Sequence, residues 1–496
     1  MEFYWVKYEV VIGLEVHSQL LTASKMFCSC NAQYQGLEPN SVVCPVCMGM
    51  PGTLPVVNVK AVELAIATGL ALKCEIDERT KFDRKNYPYP DLMKGYQISQ
   101  YDKPIASSGV LEIEVDGLTK SIRINRVHME EDVAKLTHSQ LDDSFSYSLL
   151  DINRAGIPLM EIVSEPDLRT PEEAREYLIS LRSILQYINV STANMEEGNF
   201  RCDANISLKE FNDEELGPKV EVKNMNSFKA VYEALQYEIK RQTKLKDSGD
   251  RILSETRGWV EEQGVTVSQR SKEEIADYRF FPEPDIPPIE IDTGLIDSIN
   301  NQLPELPSVK KKRFMEGFKL SDYDADMIIS SKQNAEYFEL VMSAKVLTEE
   351  DKVVYAKNVA NWIIGDLSKL LDQRGQSIID LKFTPQSFFN LIGFIISGKF
   401  NNAIGKQVFL EMSKSGKSPD EIAELQGLVQ VSDVSIIESA INGVLDQNSQ
   451  SVSDYLDGKL NVLRFLVGQV MKETKGKVNP QKTTDLLQEK LESLKK

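Results

Sequence analysis

Positive charge is scarce in this chain: 57 Lys and Arg face 75 Asp and Glu, giving a formal net charge of −18. Phosphate backbones are held mainly by Lys and Arg, so a protein that coats nucleic acid indiscriminately is excluded, and any RNA contact requires a focused basic patch. Long apolar runs are also missing. The longest, around Phe388 to Ile396, falls well short of the ~20 residues that cross a bilayer and reads as a buried helix. The opening MEFYWVKYEVVIG lacks the basic-then-apolar order of a secretory leader. The expectation is a cytoplasmic protein with no membrane partner. A phosphate loop is absent too, because Gly416-Lys417-Ser418 is preceded by Glu411 where the loop's first glycine is required. A nucleotide would have to bind on a sheet face. Only three histidines occur, His17, His128 and His138, and none offers a convincing cysteine–histidine pair for nucleophilic catalysis.

Of the six cysteines, four cluster as Cys28-Ser-Cys30 and Cys44-Pro-Val-Cys47. Without a leader, reduced thiols or a metal site are favoured over a disulfide framework. Four thiolates at this spacing can close a tetrahedral structural zinc site with Zn–S bonds of about 2.3 Å. Cys74 and Cys202 stand alone in apolar surroundings and read as core.

Acidic residues are plentiful, and one stretch concentrates them. In VHMEEDVAK, residues 127–135, His128, Glu130, Glu131 and Asp132 fall within five positions. Like charges about 4 Å apart repel by roughly 4 kcal/mol at an effective dielectric of about 20, so such a cluster takes up protons or recruits a cation. A solvated acidic turn is the plainer alternative. Alternation places Ile122, Ile124, Arg126, His128, Glu130 and Asp132 on one face of a strand and Glu131 on the other, which favours Glu130 as the ligand. In YEVVIGLEVHSQL, Tyr8, Val10, Ile12, Leu14 and Val16 alternate with Glu9, Val11, Gly13, Glu15 and His17, so Glu15 and His17 point the same way.

Further strands follow. Asp116-Gly117 is a hairpin turn signal between Val110–Val115 and Ser121–Val127. Arg201, Asp203, Asn205 and Ser207 alternate with Cys202, Ala204, Ile206 and Leu208, and Lys219, Glu221 and Lys223 with Val220 and Val222, giving paired antiparallel strands with one charged face. The segment 149–167 reads as two short strands about Gly156-Ile157-Pro158 that bring Asp151, Asn153, Arg154 and Glu161 near one another. Thr170-Pro171-Glu172-Glu173 starts a helix as a capping box with Pro at N1. FDRKNYPYPDLMKGYQISQYD, residues 82–102, strings Arg84, Lys85 and Lys94 among tyrosines, a surface for phosphate or ring stacking, or a structural loop. YRFFPEPDIPPIEI at 278–291 is an extended, proline-stiffened crossing segment. From about Ile296 onward helical patterns dominate, and a break at 411–418 suggests a small helical tail with Lys472, Lys475, Lys477 and Lys482.

Taken together, these motifs resemble the GatB family of the GatB/GatE superfamily, which supplies the B component of the tRNA-dependent amidotransferases. GLEVHSQL at Gly13, CPVCMGMPGTLPV at Cys44, FDRKNYPYPDLMKGYQISQYD, HMEED, NRAGIPLMEIVSEPD at Asn153, MEEGNFRCDANISL at Met195, EVKNMNSF at Glu221 and YRFFPEPDIPP at Tyr278 carry the likeness, in family order over the first three-fifths of the chain. The chain departs from the family pattern at Val133-Ala134 and at Gly476-Lys477-Val478-Asn479-Pro480.

The resemblance implies an α+β protein. It has an antiparallel-sheet cradle over 1–295 with the cysteine knuckle, an all-helical domain over 296–412 and a YqeY-like helical tail over 413–496 that touches tRNA. It implies ATP-dependent phosphorylation of the side-chain carboxylate of Glu or Asp esterified to tRNA, followed by amidation. Ammonia would come from an amidase-type glutaminase partner (GatA), and a small third protein (GatC) would complete a heterotrimer. Glu15, His17 and Glu130 are the first choice of Mg²⁺ ligands, with Glu131, Glu161 and Asp203 in support. Arg84, Lys85, Arg201 and Lys223 are assigned to phosphates, and Cys28, Cys30, Cys44 and Cys47 to structural zinc. The competing readings are a non-catalytic, zinc-stabilised tRNA-binding scaffold and a glutamine-synthetase-like ligase acting on a small acid.

Overall fold

A computed structural model describes residues 7–142, 145–211, 213–271, 278–428, 434–456, 459, 461–474, 478 and 480–494. The chain divides into two compact units, Met1–Pro307 and Ser308–Lys496. The α+β expectation is met: strands fill the first unit and helices the second.

In the first unit the strands are β1 (Tyr8–Gln19), β2 (Glu75–Ile76), β3 (Arg79–Thr80), β4 (Asp83–Asn86), β5 (Tyr96–Ser99), β6 (Ala106–Val115), β7 (Leu118–Glu131), β8 (Lys135–Asp142), β9 (Phe145–Asp151), β10 (Pro158–Ser164), β11 (Phe200–Glu210), β12 (Val220–Met225), β13 (Glu255–Val260), β14 (Val265–Ser271), β15 (Phe281–Pro282) and β16 (Ile289–Glu290). Nine of them form one sheet in the order β14-β13-β12-β11-β1-β10-β7-β6-β2. All its pairings are antiparallel except β12–β13. The proline-rich segment is extended as expected, with β15 pairing with β4 and β16 with β3.

Three helices, α1 (Val59–Ala71), α2 (Pro171–Tyr187) and α3 (Phe228–Ser248), cover one face of the sheet. The cover is dictated by period. Ile12, Leu14 and Val16 of β1, Met160 and Ile162 of β10 and Cys202, Ala204 and Ile206 of β11 share one core with Ala174, Leu178, Leu181 and Leu185 of α2 and Ala230, Val231, Ala234 and Leu235 of α3. Two-residue spacing on the strands meets three-to-four-residue spacing on the helices. Helix α2 starts as expected, Thr170 accepting from the Glu173 N–H with Pro171 in the first turn. Cys74 and Cys202 are buried in this core. The intervening strand residues, Glu15, His17, His128, Glu130, Glu161, Arg201 and Asp203 among them, face the other way.

One strand-face expectation is corrected. Ile122 and Ile124 do not share a face with His128 and Glu130; the core residues of β7 are Ile122, Ile124, Val127 and Met129, a step of two, then three, then two. An extra residue, Asn125, enters β7 between its pairings of Ile124 with Ser164 and Arg126 with Val163. Opposite it Ser108 of β6 has φ +56°, and the β6–β7 register is kept across the irregularity. A bulge of this kind exchanges the two faces of a strand. It lets one strand send isoleucines into the core at one end and catalytic-type side chains outward at the other.

The second unit is helical throughout its described residues, from Pro307–Phe318 to Pro480–Ser493. The expected apolar helix spans Pro385–Ile396, and Thr348, Thr384 and Ser418 cap their helices as read. Helix Asn402–Ser415 runs through the start of the expected break and stops at Gly416, whose φ is +73°. Ile437, Ile441, Val444, Leu466, Val470, Leu487 and Leu491 close a distinct core near the C-terminal end. Lys475, Gly476, Lys477 and Asn479 of the tail motif lie outside the described residues. Among the described residues, no helix is long and apolar enough to cross a membrane.

Candidate functional site

The site is a row of side chains in register across four central strands. His128 of β7 pairs with Glu161 of β10, Glu161 with His17 of β1, and His17 with Arg201 of β11. Cross-strand neighbours on one face have Cβ atoms about 5 Å apart, so the row is in contact by construction. His17 Nε2 lies 3.3 Å from Glu161 Oε2 and 3.7 Å from Glu130 Oε1, and His128 Nε2 lies 3.2 Å from the same Glu161 oxygen. His17, Glu130 and Glu161 each offer an atom within 4.8 Å of the others.

The electrostatics follow from that crowding. Burial opposes charge on His17, but the hydrogen bond to Glu161 and the carboxylates of Glu161, Glu130 and Asp203 outweigh it and push the ring up to about 9. Burial would raise Glu161, yet His128 and His17 hold its carboxyl well below the usual range. Arg126 Nε donates to His128 Nδ1 over 3.4 Å, which fixes the ring with Nε2 directed at Glu161.

An octahedral Mg²⁺ with oxygen ligands at about 2.1 Å needs donors roughly 3.0 to 4.2 Å apart, and it accepts water in place of a protein ligand. Glu130 and Glu161 offer carboxylate oxygens within 4.8 Å of each other, close enough for an ion to draw them in, and His17, 3.7 and 3.3 Å from them, stands where it can bind or hold a water. Glu15 does not join this group. Its Oε1 accepts from Asn205 Nδ2 at 2.7 Å and sits 3.7 Å from Lys219 Nζ.

The remaining expected residues divide by what they touch. Asp203 accepts from Lys223 Nζ at 2.6 Å, and Lys223 also pairs with Glu221 at 3.1 Å. Burial opposes the Lys223 charge, but Asp203 and Glu221 raise it above the ordinary lysine value. Glu131 points to the opposite side of β7 from Glu130, where it pairs with Lys94 and accepts the Ile98 N–H at 2.9 Å, tying β5 to β7. Arg84 forms a fork on Glu283 at 2.7 and 2.8 Å, reaches Asp285 at 3.1 Å and lies over the Tyr96 ring. It is spent on holding β4 to the proline-rich segment, so the phosphate role expected of it is not available. Lys85 has its Nζ 4.9 Å from the Tyr278 ring centroid and 5.7 Å from that of Tyr87.

Asp151, Asn153, Arg154 and Glu161 are not brought together as expected. Asp151 and Asn153 accept from the N–H groups of Asn40 and Val42, bracing the loop between the cysteine pairs. Arg154 donates to the carbonyls of Val133 and Ala134, each at 2.8 Å. That clamp uses main-chain atoms, so the Val133-Ala134 departure leaves it intact.

Sequence reasoning gave no role to Asp132. It is 2% exposed, and its Oδ2 accepts from Gln19 at 2.8 Å and Arg201 at 2.9 Å. Burial would raise its carboxyl, and the charges of Arg201 and Arg154 with the Gln19 hydrogen bond bring it below the ordinary aspartate value. The HMEED cluster contained it, but the alternation that set it beside Glu130 runs past Glu131, where β7 ends, and so gave no hint of its partners.

The two cysteine pairs come together. Cys28, Cys30, Cys44 and Cys47 hold their sulfurs within 4.8 Å of one another, against about 3.8 Å between sulfurs in a tetrahedron of 2.3 Å Zn–S bonds. A hydrogen bond from Cys28 and the Cys44 N–H, with the Lys25 charge, lowers Cys47 to about 4 against its burial. Burial pushes Cys30 up to about 11. Four sulfurs this close suit a closed structural zinc site, whose ligands release protons on binding.

Comparison with known proteins matches residues 10–297 to the GatB/GatE catalytic domain and residues 336–491 to the GatB domain. The B component of the aspartyl/glutamyl-tRNA(Asn/Gln) amidotransferase of Dehalococcoides mccartyi is 53% identical over 488 residues, covering 98% of this chain and 99% of the relative. Proteins of the same name from Carboxydothermus hydrogenoformans and Caldicellulosiruptor saccharolyticus are 50% and 47% identical, covering 98% and 99% of this chain and all of each relative.

Proposed function

This chain belongs to the GatB/GatE family, and on that premise we propose that it is the carboxylate-activating component of a tRNA-dependent amidotransferase. Its substrates would be Glu-tRNA(Gln), Asp-tRNA(Asn) or both. The side-chain carboxylate attacks the γ-phosphorus of ATP, ADP leaves, and ammonia displaces phosphate from the acyl phosphate to give the amide. The observation that carries this reading is the grouping of His17, Glu130 and Glu161 on a charged sheet face within the stretch that matches a catalytic domain.

Joining a carboxylate to a phosphate brings two anions together, and Mg²⁺ held by Glu130 and Glu161 would supply the charge neutralisation that such a meeting requires. His128 holds Glu161 in place from one side. His17 stands between both carboxylates as a ligand or water holder. Arg201 and Lys85 would supply cationic contacts to phosphate oxygens, and Lys223 fixes Asp203. Neither His17 nor His128 has a cysteine partner among the hydrogen bonds of the described residues, so ammonia would come from the amidase-type partner GatA, with the small GatC completing the heterotrimer. The basic tail would dock the RNA backbone. Zinc on the four cysteines would tie the knuckle to the cradle.

Glu130→Gln in the reconstituted complex tests this reading. ATP cleavage stimulated by mischarged tRNA should fall by about 100-fold or more, while glutamine hydrolysis by the partner persists. Amidation at the wild-type rate would overturn the catalytic role and leave a tRNA-binding scaffold. Free glutamate serving as well as charged tRNA would indicate a small-acid ligase instead.

A further inference from the structure

Most cations at the site are already committed to carboxylates: Arg84 to Glu283, Lys94 to Glu131, Lys223 to Asp203. Arg201 is paired with a carboxylate as well, but through one nitrogen of its fork. Its Nη2 donates to Asp132 Oδ2 at 2.9 Å, and among the described residues this is the hydrogen bond the guanidinium makes. Its Nε is buried and has no partner. A guanidinium is a planar fork matched to paired oxygens of carboxylate or phosphate, so a fork held by one corner presents its other donors in a fixed direction. Arg201 stands opposite His17 in the β1–β11 register, at the end of the row that contains Glu161 and His128.

What holds that corner is itself held. Asp132 Oδ2 also accepts from Gln19, and Oδ1 accepts the Val133 N–H at 2.9 Å. Its main chain is locked from both sides, N–H to the Ile157 carbonyl at 2.8 Å and carbonyl to the Gly156 N–H at 2.9 Å. Arg154, 3.7 Å from Oδ1, is anchored on the Val133 and Ala134 carbonyls. A nearly fully buried carboxylate with this many fixed contacts has no freedom to follow a substrate.

We propose that Asp132 is a positioning residue: it holds Arg201 by one edge so that the free donors of the guanidinium form an oxyanion-binding site for the phosphoryl group being transferred. The inference rests on the activation reaction proposed above. It makes the last acidic residue of HMEED an anchor of a cation and separates its role from that of Glu130, two positions earlier.

The experiment is a double-mutant cycle in the reconstituted complex, reading ATP cleavage stimulated by mischarged tRNA. Asp132→Asn should lower kcat by about 10- to 100-fold, the scale of an ångström-level misplacement, with KM for ATP changed less than about threefold. In an Arg201→Gln background the same substitution should have almost no further effect, because coupled residues are non-additive. Arg201→Lys, which keeps the charge and loses the fork, should fall to the level of Arg201→Gln. Zinc content and thermal midpoint identify variants that fail to fold, and Arg201→Lys decides the matter if Asp132→Asn is one of them. Wild-type turnover in Arg201→Lys, or an equal loss from Asp132→Asn in both backgrounds, overturns the inference. Glu130→Gln run in parallel separates the two failures: if it is inactive while the Asp132 and Arg201 variants are normal, this inference alone falls, and if it is active, the activation reading falls.

Discussion

Lys25 has no exposed surface, and its Nζ donates to the Val42 carbonyl at 2.9 Å and to Cys47 Sγ at 3.8 Å. A buried ammonium is tolerated only with compensating charge and hydrogen bonds. Four thiolates around Zn²⁺ would carry net negative charge, and with zinc bound the lysine and the metal site would stabilise each other. Lys25→Met should weaken zinc retention by about 10- to 100-fold, as measured by competition with a chromophoric chelator. Undiminished retention would show that the lysine serves the loop alone. The four cysteines were legible because their spacing is local. Lys25 was not, since its partners come from the loop at 42–47 and nothing in the sequence ties that loop to it. The same limit explains Glu15 and Glu161: alternation paired Glu15 correctly with His17 on one strand, but only the β1–β10 register shows that Glu161 is the carboxylate that meets the ring.

At the level of elements, the paired irregularity at Ser108 and Asn125 decides which side chains of β6 and β7 reach the site. Gly109, beside it, has no room for a side chain: a Cβ there would lie 2.3 Å from Cys74 Sγ and 2.8 Å from the Leu72 carbonyl oxygen. Gly109→Ala should cost about 1–3 kcal/mol through overpacking, measured by urea unfolding, with loss of the β6–β7 alignment visible in amide exchange. The paired strands and helix caps were readable from period and turn chemistry. The bulge was not, because a two-three-two spacing of apolar residues resembles noise until the opposing strand is known.

Helix α3 carries a second element-level device. Glu238, with no exposed surface, is gripped by Arg241 and by Arg257 of β13 and accepts from Thr266 of β14. Burial would raise its carboxyl, but hydrogen bonds from Arg241, Gln242 and Thr266 with the Arg241 charge lower it from 4.5. A carboxyl lowered on folding adds stability that is complete above its unfolded value and is lost as pH falls through the folded one. Unfolding free energy should therefore decline below about pH 4.5, and Glu238→Gln should flatten that limb while lowering stability at pH 7. A limb unchanged in the variant would refute the assignment.

For the whole molecule, the helical unit contains a natural place to separate the tail. Helix Pro419–Gln426 buries Pro419, Ile422 and Ala423, so a cut before Ser418 exposes apolar surface, whereas a cut after Leu428 removes the core of Ile437 to Leu491 as a piece. A chain of residues 1–428 in the complex should remain folded, retain zinc and lose about tenfold or more in affinity for mischarged tRNA, with a shallower salt dependence. Unchanged affinity and salt slope would remove the tail from RNA binding. The order of motifs along the chain was legible throughout, since each is local, whereas the grouping of distant motifs depends on register.

The central strand of the sheet is synthesised before both of its neighbours. β1 is flanked by β10, which ends at Ser164, and by β11, which ends at Glu210. At about 5–20 residues per second on the ribosome, β1 waits roughly 10–40 s for both neighbours. Until β10 follows, Ile12, Leu14 and Val16 have no neighbouring strand to join, and until Glu130 and Glu161 follow, His17 has no carboxylates to meet. The cradle is thus committed late in its own synthesis, and shielding of the nascent N-terminal segment becomes part of what this fold demands of the cell.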